Sequence, residues 1–286
     1  LPNAPIEIEV GDNYLITLKA LNSEYNIQGL DPHEYPELNR IAESDIIEIE
    51  QGLFKGMIDK TIFAVATDET RPILTGALVE ISKNNINLVC LDGYRLALRR
   101  DKIDNNLEKN VIIPGKTLTE IGRIMDYSDE KISISIDEKH ILFDLGYTRV
   151  ISRLLTGEFL NYNQIIPDEY NTRLKVDVKI LHDAIERASL LAREGKNNLI
   201  KLTVKEDILI INSNSEVGRA HEEIPVIMEG KEMVIAFNAR YFLDILRSLD
   251  EDEASINFTT NVSPCVFKPL EGDDFTYLLL PVRINA

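Results

Sequence analysis

Apolar and polar residues alternate strictly at Ile6-Glu7-Ile8-Glu9-Val10, at Ile132-Ser133-Ile134-Ser135-Ile136 and at Ser255-Ile256-Asn257-Phe258. A period of two puts every second side chain on one face, so each stretch predicts a half-buried antiparallel strand. Four other segments carry the helical period. In residues 51–65, Leu53, Phe54, Met57, Ile58 and Ile62 form one apolar stripe, which predicts an amphipathic helix lying on a sheet. Residues 115–126 turn Leu118, Ile121, Ile124 and Met125 inward. Residues 177–196 do the same with Val178, Leu181, Ile185 and Ala188, and residues 238–250 make the fourth helix.

The elements recur in order. The helix at 51–65 precedes the apolar runs Ala77-Leu78-Val79-Glu80-Ile81 and Ile86-Asn87-Leu88-Val89, and the helix at 177–196 precedes Leu199-Ile200-Lys201-Leu202-Thr203-Val204 and Ile208-Leu209-Ile210-Ile211. Val111-Ile112-Ile113-Pro114 leads into its helix as Met233-Val234-Ile235-Ala236 leads into another. Val111 to Met233, like Ser133 to Ser255, is a step of 122 residues. A partial third copy opens the chain, where residues 6–10 resemble 132–136 and residues 29–35 resemble 154–162. Such recurrence predicts an α+β fold of repeated domains, each with two helices packed on antiparallel sheets. Residues 1–42 are then the C-terminal remnant of a first copy, 43–170 a second domain and 171–286 a third, with linkers near 36–43 and 167–172. Chance likeness among ordinary α+β segments is the competing reading, but it accounts for one shared strand better than for a shared order.

Composition narrows the class without naming a function. With 286 residues, 44% of them hydrophobic and 28% charged, the chain has the make-up of a soluble globular protein of about two units of ~150 residues. No apolar run nears the ~18 residues of a membrane span, and residues 277–282 are only strand-sized. Leu1 is not an initiator Met and no targeting signal is visible, so the start is expected to be a truncation. Cys90 and Cys265 stand far apart, which predicts two small buried thiols in a reducing cytoplasm.

Catalytic patterns are missing. There is no Gly-rich phosphate loop with its Lys and no Gly-x-Ser-x-Gly elbow. His33, His140, His182 and His221 lack partners at metal-binding spacing. The acidic run Asp250-Glu251-Asp252-Glu253 lies between a helix and a strand, where solvated charge needs no function. No catalysis, cofactor or metal is expected.

The net charge of −17 argues against simple DNA binding. It is unevenly distributed, however. The four predicted helices hold ten Lys or Arg against nine Asp or Glu, a net of +1 that leaves −18 on strands and loops. A less negative helical face suits weak contact with a phosphate backbone along which a protein slides. Plain i,i+4 pairing, as between Asp183 and Arg187, balances helix charge equally well.

At Leu91-Asp92-Gly93-Tyr94-Arg95-Leu96-Ala97 the chain resembles the bacterial DNA polymerase III beta subunits, the sliding clamps. Arg71-Pro72-Ile73-Leu74-Thr75-Gly76, Val111-Ile112-Ile113-Pro114-Gly115-Lys116 and Tyr277-Leu278-Leu279-Leu280-Pro281-Val282-Arg283 resemble that family in the same order. Each motif alone is common in β-rich proteins; their ordered combination with the repeat is specific and covers essentially the whole chain. The resemblance implies the DNA clamp fold: three similar domains per chain, two chains closed head to tail into a ring, helices inside and sheets outside. It further implies a non-catalytic protein that encircles duplex DNA and tethers polymerase, clamp-loader and repair proteins. A DNA-independent scaffold and an enzyme with an unrecognised site are the rival readings.

By the same resemblance, a partner-peptide pocket falls at Leu74, Leu91, Gly93, Tyr94, Arg95 and Leu96. Leu160, Gln164, Ile165, Val262 and Pro264 continue it, and Leu278, Leu280, Pro281, Val282 and Arg283 complete it. Leucines and prolines would form an apolar groove, with Arg95 and Arg283 as rim donors. Leu160 stands where the family often has Pro and Gln164 where some members have Arg, which shifts the expected rim polarity. The DNA-facing residues are expected at Arg71, Lys55, Lys60, Lys116 and Arg123, and at Lys179, Arg187, Arg193, Arg240 and Arg247. The homodimer contact is expected between Tyr25 and Ile27 of one chain and Leu190 and Leu191 of another.

Overall fold

The computed structural model describes residues 2–35, 46–195 and 198–283. The chain divides into two compact units, Leu1–Arg40 and Ile41–Ala286. The first holds the strands β1 (Glu7–Val10), β2 (Leu15–Ala20) and β3 (Ser23–Gln28) in a three-stranded antiparallel meander. Its pairing sets Ile8, Leu18 and Tyr25 side by side, and next to them Val10, Ile16 and Ile27, so one face is largely apolar. Ile8, Val10, Tyr25 and Ile27 on that face are exposed.

The second unit repeats one plan twice. Its first half runs β4 (Ile46–Glu50), α1 (Gln51–Asp59), β5 (Gly76–Ser82), β6 (Asn85–Leu91), β7 (Arg95–Lys102) and β8 (Lys109–Pro114). It ends with α2 (Gly115–Ile124), β9 (Lys131–Ile136), β10 (His140–Asp144) and β11 (Arg149–Arg153). The other half runs β12 (Thr172–Asp177), α3 (Val178–Ala192), β13 (Leu199–Lys205), β14 (Ile208–Ser215) and β15 (Gly218–Pro225). A short extra strand, β16 (Ile227–Gly230), precedes β17 (Met233–Asn238), α4 (Ala239–Arg247), β18 (Glu253–Phe258), β19 (Cys265–Lys268) and β20 (Phe275–Leu279). Strand, helix, meander, strand, helix, meander is thus the order in both.

Each half forms two four-stranded arrays, β8-β5-β6-β7 and β11-β10-β9-β4 in one, β17-β13-β14-β15 and β12-β18-β19-β20 in the other. The halves fuse where β20 pairs antiparallel with β7, from Phe275 opposite Arg99 to Leu279 opposite Arg95. That joint makes a single nine-stranded sheet, β16-β12-β18-β19-β20-β7-β6-β5-β8.

The helices are shorter than the sequence period predicts, for local reasons. The stripe in 51–65 is broken after Asp59, because the Thr61 hydroxyl donates back to the Met57 carbonyl at 2.7 Å and Ile62–Ala64 tightens into a 3-10 turn. In the second helix, Met125 leaves the helical region. Asp177 is the N-cap of α3 rather than its first turn, its carboxylate accepting from Ile180 N at 2.8 Å, and Asn238 caps α4 in the same way. The terminal apolar strand begins at Phe275 and ends at Leu279 rather than spanning 277–282. Lys196 and the expected linker at 36–43 lie outside the described residues.

Strand alternation sorts the apolar side chains onto two faces of the large sheet. Ile86, Leu88 and Cys90 of β6, with Ala97 of β7 and Tyr277 and Leu279 of β20, enter the main core, together with Phe54, Leu118, Leu181 and Phe242 from the four helices. Val89 and Leu91 of β6, Leu96 and Leu98 of β7, and Leu278 of β20 point the other way into a separate cluster. Both cysteines are buried and unpaired, and burial pushes the Cys90 thiol up to about 12, where it is inert at neutral pH.

Candidate functional site

The second cluster lies at one end of the nine-stranded sheet. Its floor is Leu78, Val89, Leu91, Leu96, Leu98, Ile112 and Leu278, each fully or nearly buried. Leu74 reaches it from the 3-10 turn Pro72–Thr75, and Leu155, Phe159, Tyr162, Ile165 and Ile166 cover it from the segment that links the halves. Tyr162 is pinned there by donating to the Glu80 carboxylate at 2.5 Å. Burial, with that carboxylate beside it, pushes its phenol well above the usual range. Gly157 runs at φ +147°, a backbone conformation side chains rarely adopt, and it lies close against Ile73, whose Cδ1 would sit 2.6 Å from a Cβ there.

The β6–β7 turn and the C-terminal tail meet at the strand ends beside this cluster. Asp92 Oδ1 accepts from Tyr94 N at 2.8 Å and Arg95 N at 3.0 Å, closing the turn on its own side chain. Gly93 takes φ +92°, and the guanidinium of Arg71 sits 3.1 Å from where its Cβ would be. Beyond β20, Leu280 N donates to Tyr94 O at 2.9 Å and Val282 N to Ala236 O at 2.8 Å. Since Cys265 pairs with Leu279, Val262 and Pro264 stand at the same sheet end as Leu280. Tyr94, Leu160 and Val262 are exposed, Leu280 is 37% exposed, and Ile165, Pro264, Pro281 and Val282 are half-buried. Gln164 and Arg283 are exposed.

The structure therefore gathers Leu74, Leu91, Leu96, Ile165 and Leu278 in one cluster, and it sets Gly93, Tyr94 and Leu280 along one edge. Two expectations change. Leu91, Leu96 and Leu278 form a floor beneath the surface instead of the surface itself. Arg95 supplies no free rim donor: its side chain, 9% exposed, leaves β7 on the face opposite Leu96. It donates to Asp92 Oδ2 at 3.0 Å, to Phe63 O at 2.6 Å and to Asp244 Oδ2 of α4 at 2.5 Å. Its guanidinium lies 4.5 Å from the Tyr241 ring centre and 5.3 Å from that of Phe63. Tyr94 stacks on Tyr241 from the turn, at 5.9 Å. Removing one partner of such a desolvated pair typically costs about 3–5 kcal/mol.

The ten expected DNA-facing cations divide as well. Lys55 donates to Gly122 O and lies 3.8 Å from Asp59, and Lys60 is paired with Asp250. Arg187 makes two bonds, of 3.0 and 2.8 Å, to Glu222 on β15. That guanidinium holds the Glu222 carboxyl below its ordinary range. Arg123 bonds Glu120 at 2.7 Å and Lys179 bonds Asp183 at 3.2 Å, both on exposed ground. Arg71 belongs to no helix and lies at the Asp92–Gly93 turn. Lys116 is exposed on the first turn of α2. Arg193, Arg240 and Arg247 converge with Ser189, Asn198 and Asp244 around a groove of 470 Å³ between α3 and α4. Arg247 there is only loosely held, 3.3 Å from Glu186 and 3.9 Å from Asp244. Of the expected dimer residues, Tyr25 and Ile27 are exposed on the edge strand β3, Leu190 is exposed on α3, and Leu191 is half-buried.

Sequence reasoning missed Asp92, Asp244, Tyr241 and the covering residues Phe159 and Tyr162. The uninterrupted run Leu88-Val89-Cys90-Leu91 was a usable signal for the two-sided sheet, because a strand apolar on both faces is buried on both. Among the described residues no group of His, Cys, Asp and Glu could hold a metal ion, and no helix is long and apolar enough to cross a membrane.

The model of the DNA polymerase III beta subunit central domain matches residues 48–161, and that of its C-terminal domain matches residues 163–283. The beta sliding clamp of Staphylococcus aureus (strain Mu50) is 38% identical over 286 residues, covering 99% of this chain and 76% of that protein. The crystal structure of the DNA polymerase sliding clamp from Bacillus subtilis superposes with a TM-score of 0.95 at 39% identity, over 99% of this chain and 77% of that one. A putative DNA polymerase III beta subunit from Eubacterium rectale gives 0.93 at 32% identity, over 99% and 78%. The chain belongs to the DNA polymerase III beta-subunit family, the bacterial sliding clamps.

Proposed function

We propose that this chain works as a processivity clamp: it encircles duplex DNA, performs no chemistry itself, and holds the replicative polymerase on its template. Tethering raises the polymerase's effective concentration at the primer end, so topology does the work of affinity. Residues 1–42, 43–170 and 171–286 act as successive clamp domains, the first of them partial. The protein works in the cytoplasm, where a bacterial chromosome is copied.

The observation that carries this reading is the β7–β20 joint. The last strand of one repeat adds to the third strand of the preceding repeat's first array, a head-to-tail contact between different surfaces. Contacts of that kind close into rings when the rotation per step allows. By the repeat, β15 corresponds to β7 and β3 to β20, and β15 and β3 are both edge strands. Exposed edges invite pairing, so β3 of one chain adds to β15 of a second, with Tyr25 and Ile27 meeting Leu190 and Leu191. The homodimer closes by that contact.

The groove at the sheet end takes short linear segments of polymerase, clamp-loader and repair proteins, anchored by apolar side chains over the Leu74–Leu91–Leu96–Leu278 floor. Exposed arginines of α3 and α4, with Lys116, touch phosphates without reading bases. The test is retention of the full-length protein, loaded by its cognate loader, on nicked circular DNA. Linearising the circle should release it by sliding off the ends; retention indifferent to linearisation refutes encirclement.

A further inference from the structure

Asp244 of α4 faces two sites at once. Its Oδ2 accepts from Arg95 at 2.5 Å on the side of the β6–β7 turn, while its Oδ1 lies 3.9 Å from Arg247 in the arginine groove. Asp244 itself lines that groove with Arg193, Arg240 and Arg247. On the other side, Arg95 Nε donates to Asp92 Oδ2, and Asp92 Oδ1 accepts both amides that shape the turn beside the apolar cluster. Arg247, Asp244, Arg95, Asp92 and the turn are therefore linked by charge or hydrogen bonds without a gap. The buried end of this chain is strong, with Arg95 enclosed by Phe63 and Tyr241, and the exposed end is loose.

We propose that Arg95 is a positioning residue that couples phosphate contact in the α3/α4 groove to partner docking at the β6–β7 turn, through the carboxylate it shares with Arg247. This rests on the clamp reading above. A phosphate seated among Arg193, Arg240 and Arg247 draws Arg247 off Asp244. Asp244 is then left with Arg95 as its cation, and the added negative charge makes an uncompensated Asp244 costlier still. The Arg95–Asp244 bond is strengthened, the Asp92 turn is held more firmly, and the groove mouth is preorganised for a peptide. Duplex DNA therefore favours docking, and by linkage docking favours phosphate contact to the same degree. A ligand shifts an equilibrium only by its differential interaction with the two states, and here the difference is whether Asp244 is shared with Arg247 or held by Arg95 alone.

The experiment measures the affinity of a fluorescent docking segment from the cognate polymerase for the full-length protein, with and without a saturating short linear duplex at low salt. The parent is expected to bind the segment about fivefold or more tightly when DNA is present, the low end of ordinary site-to-site coupling. Arg247→Ala, which frees Asp244 from Arg247 permanently, should raise segment affinity without DNA toward the parent's DNA-bound value and so abolish the DNA effect. Asp244→Asn should abolish it too, and Arg95→Lys, which keeps the charge but not the two-sided bonding, should lose most of it. Melting curves establish that each variant is folded. Equal segment affinity with and without DNA in the parent, or an undiminished DNA effect in Arg247→Ala, overturns the coupling while leaving the clamp reading standing. Failure of the parent to bind the duplex overturns the coupling alone, and failure to bind the segment overturns both.

Discussion

Deleting residues 280–286 separates docking from folding. The cut falls after β20, so Phe275, Tyr277 and Leu279 stay in the main core and the β7–β20 joint keeps its full register. Among the described residues, the backbone hydrogen bonds lost are two, Leu280 N to Tyr94 O and Val282 N to Ala236 O. At about 1 kcal/mol net for each bond, the loss is roughly 2 kcal/mol. For a unit of this size that lowers Tm by about 4–8 °C, well inside a native stability of about 5–15 kcal/mol. Docking should suffer more, because the proposed function puts Leu280, Pro281 and Val282 in one wall of the groove and anchor losses run to about 2 kcal/mol or more, which is roughly 30-fold in Kd. Leu280→Asp is the companion variant. It keeps both backbone bonds at a residue 37% exposed, so it should cost the fold under about 1 kcal/mol yet weaken docking as strongly. The assay pairs thermal unfolding by circular dichroism with anisotropy of a labelled polymerase segment. If both variants melt as expected and bind within about threefold of the parent, the groove does not hold the partner and the assignment fails.

Ile27→Asp, on the exposed face of β3, should leave the circular dichroism spectrum unchanged and shift sedimentation from dimer to monomer; a persistent dimer would exclude β3 from the interface. Arg240→Ala should lower the slope of log affinity against log salt for duplex DNA by about 1, the signature of one lost phosphate contact, and an unchanged slope would show that Arg240 meets no phosphate. Glu222 titrates below its ordinary range because Arg187 hydrogen-bonds its carboxylate. The stability it contributes is present above the unfolded carboxyl's pKa and is lost as pH falls through the lower folded value. Glu222→Gln should therefore lower Tm at neutral pH and converge with the parent as pH falls through the lowered folded value, whereas a gap that stays constant into strong acid would deny the ion pair its role.

How much of this was legible in the sequence follows from the range of each interaction. Strands with one buried face, such as β9 (Lys131–Ile136), announce themselves by alternation, and α3 does so by its stripe and by Asp177 ahead of it. The end of α1 was not legible. Ile62 continues the apolar stripe, and only the Thr61 hydroxyl turned onto Met57 O shows why the helix stops first. The edge strand β15 hides for another reason: Gly-Arg-Ala-His-Glu-Glu-Ile-Pro has little apolar face to display, because much of it is exposed. Of the groove, the leucines were placed by resemblance, and their two-sided sorting is written in the unbroken apolar run of β6. Arg95 was read by type as a rim cation. Its partner Asp244 stands 149 residues away, a distance over which no local pattern carries information, and a rim donor and a buried clasp look identical until the sheet and α4 meet.

The charge of the helices must likewise be counted after pairing. Ten cations in four predicted helices read as a broad weakly positive surface, but Lys55, Lys60 and Arg187 are already committed to Asp59, Asp250 and Glu222. What remains exposed and convergent is mainly the trio Arg193, Arg240 and Arg247, with Lys116 on α2. Arg247 is itself half-compensated by Glu186 and Asp244 at long range. A phosphate that arrives there gains only the difference between itself and a carboxylate, and exposed pairs of either kind are worth about 0–1 kcal/mol. Exchange between neighbouring phosphates is then cheap in both directions. An acidic chain with a few loosely partnered arginines can therefore follow the backbone through weak, exchangeable contacts without arresting on it.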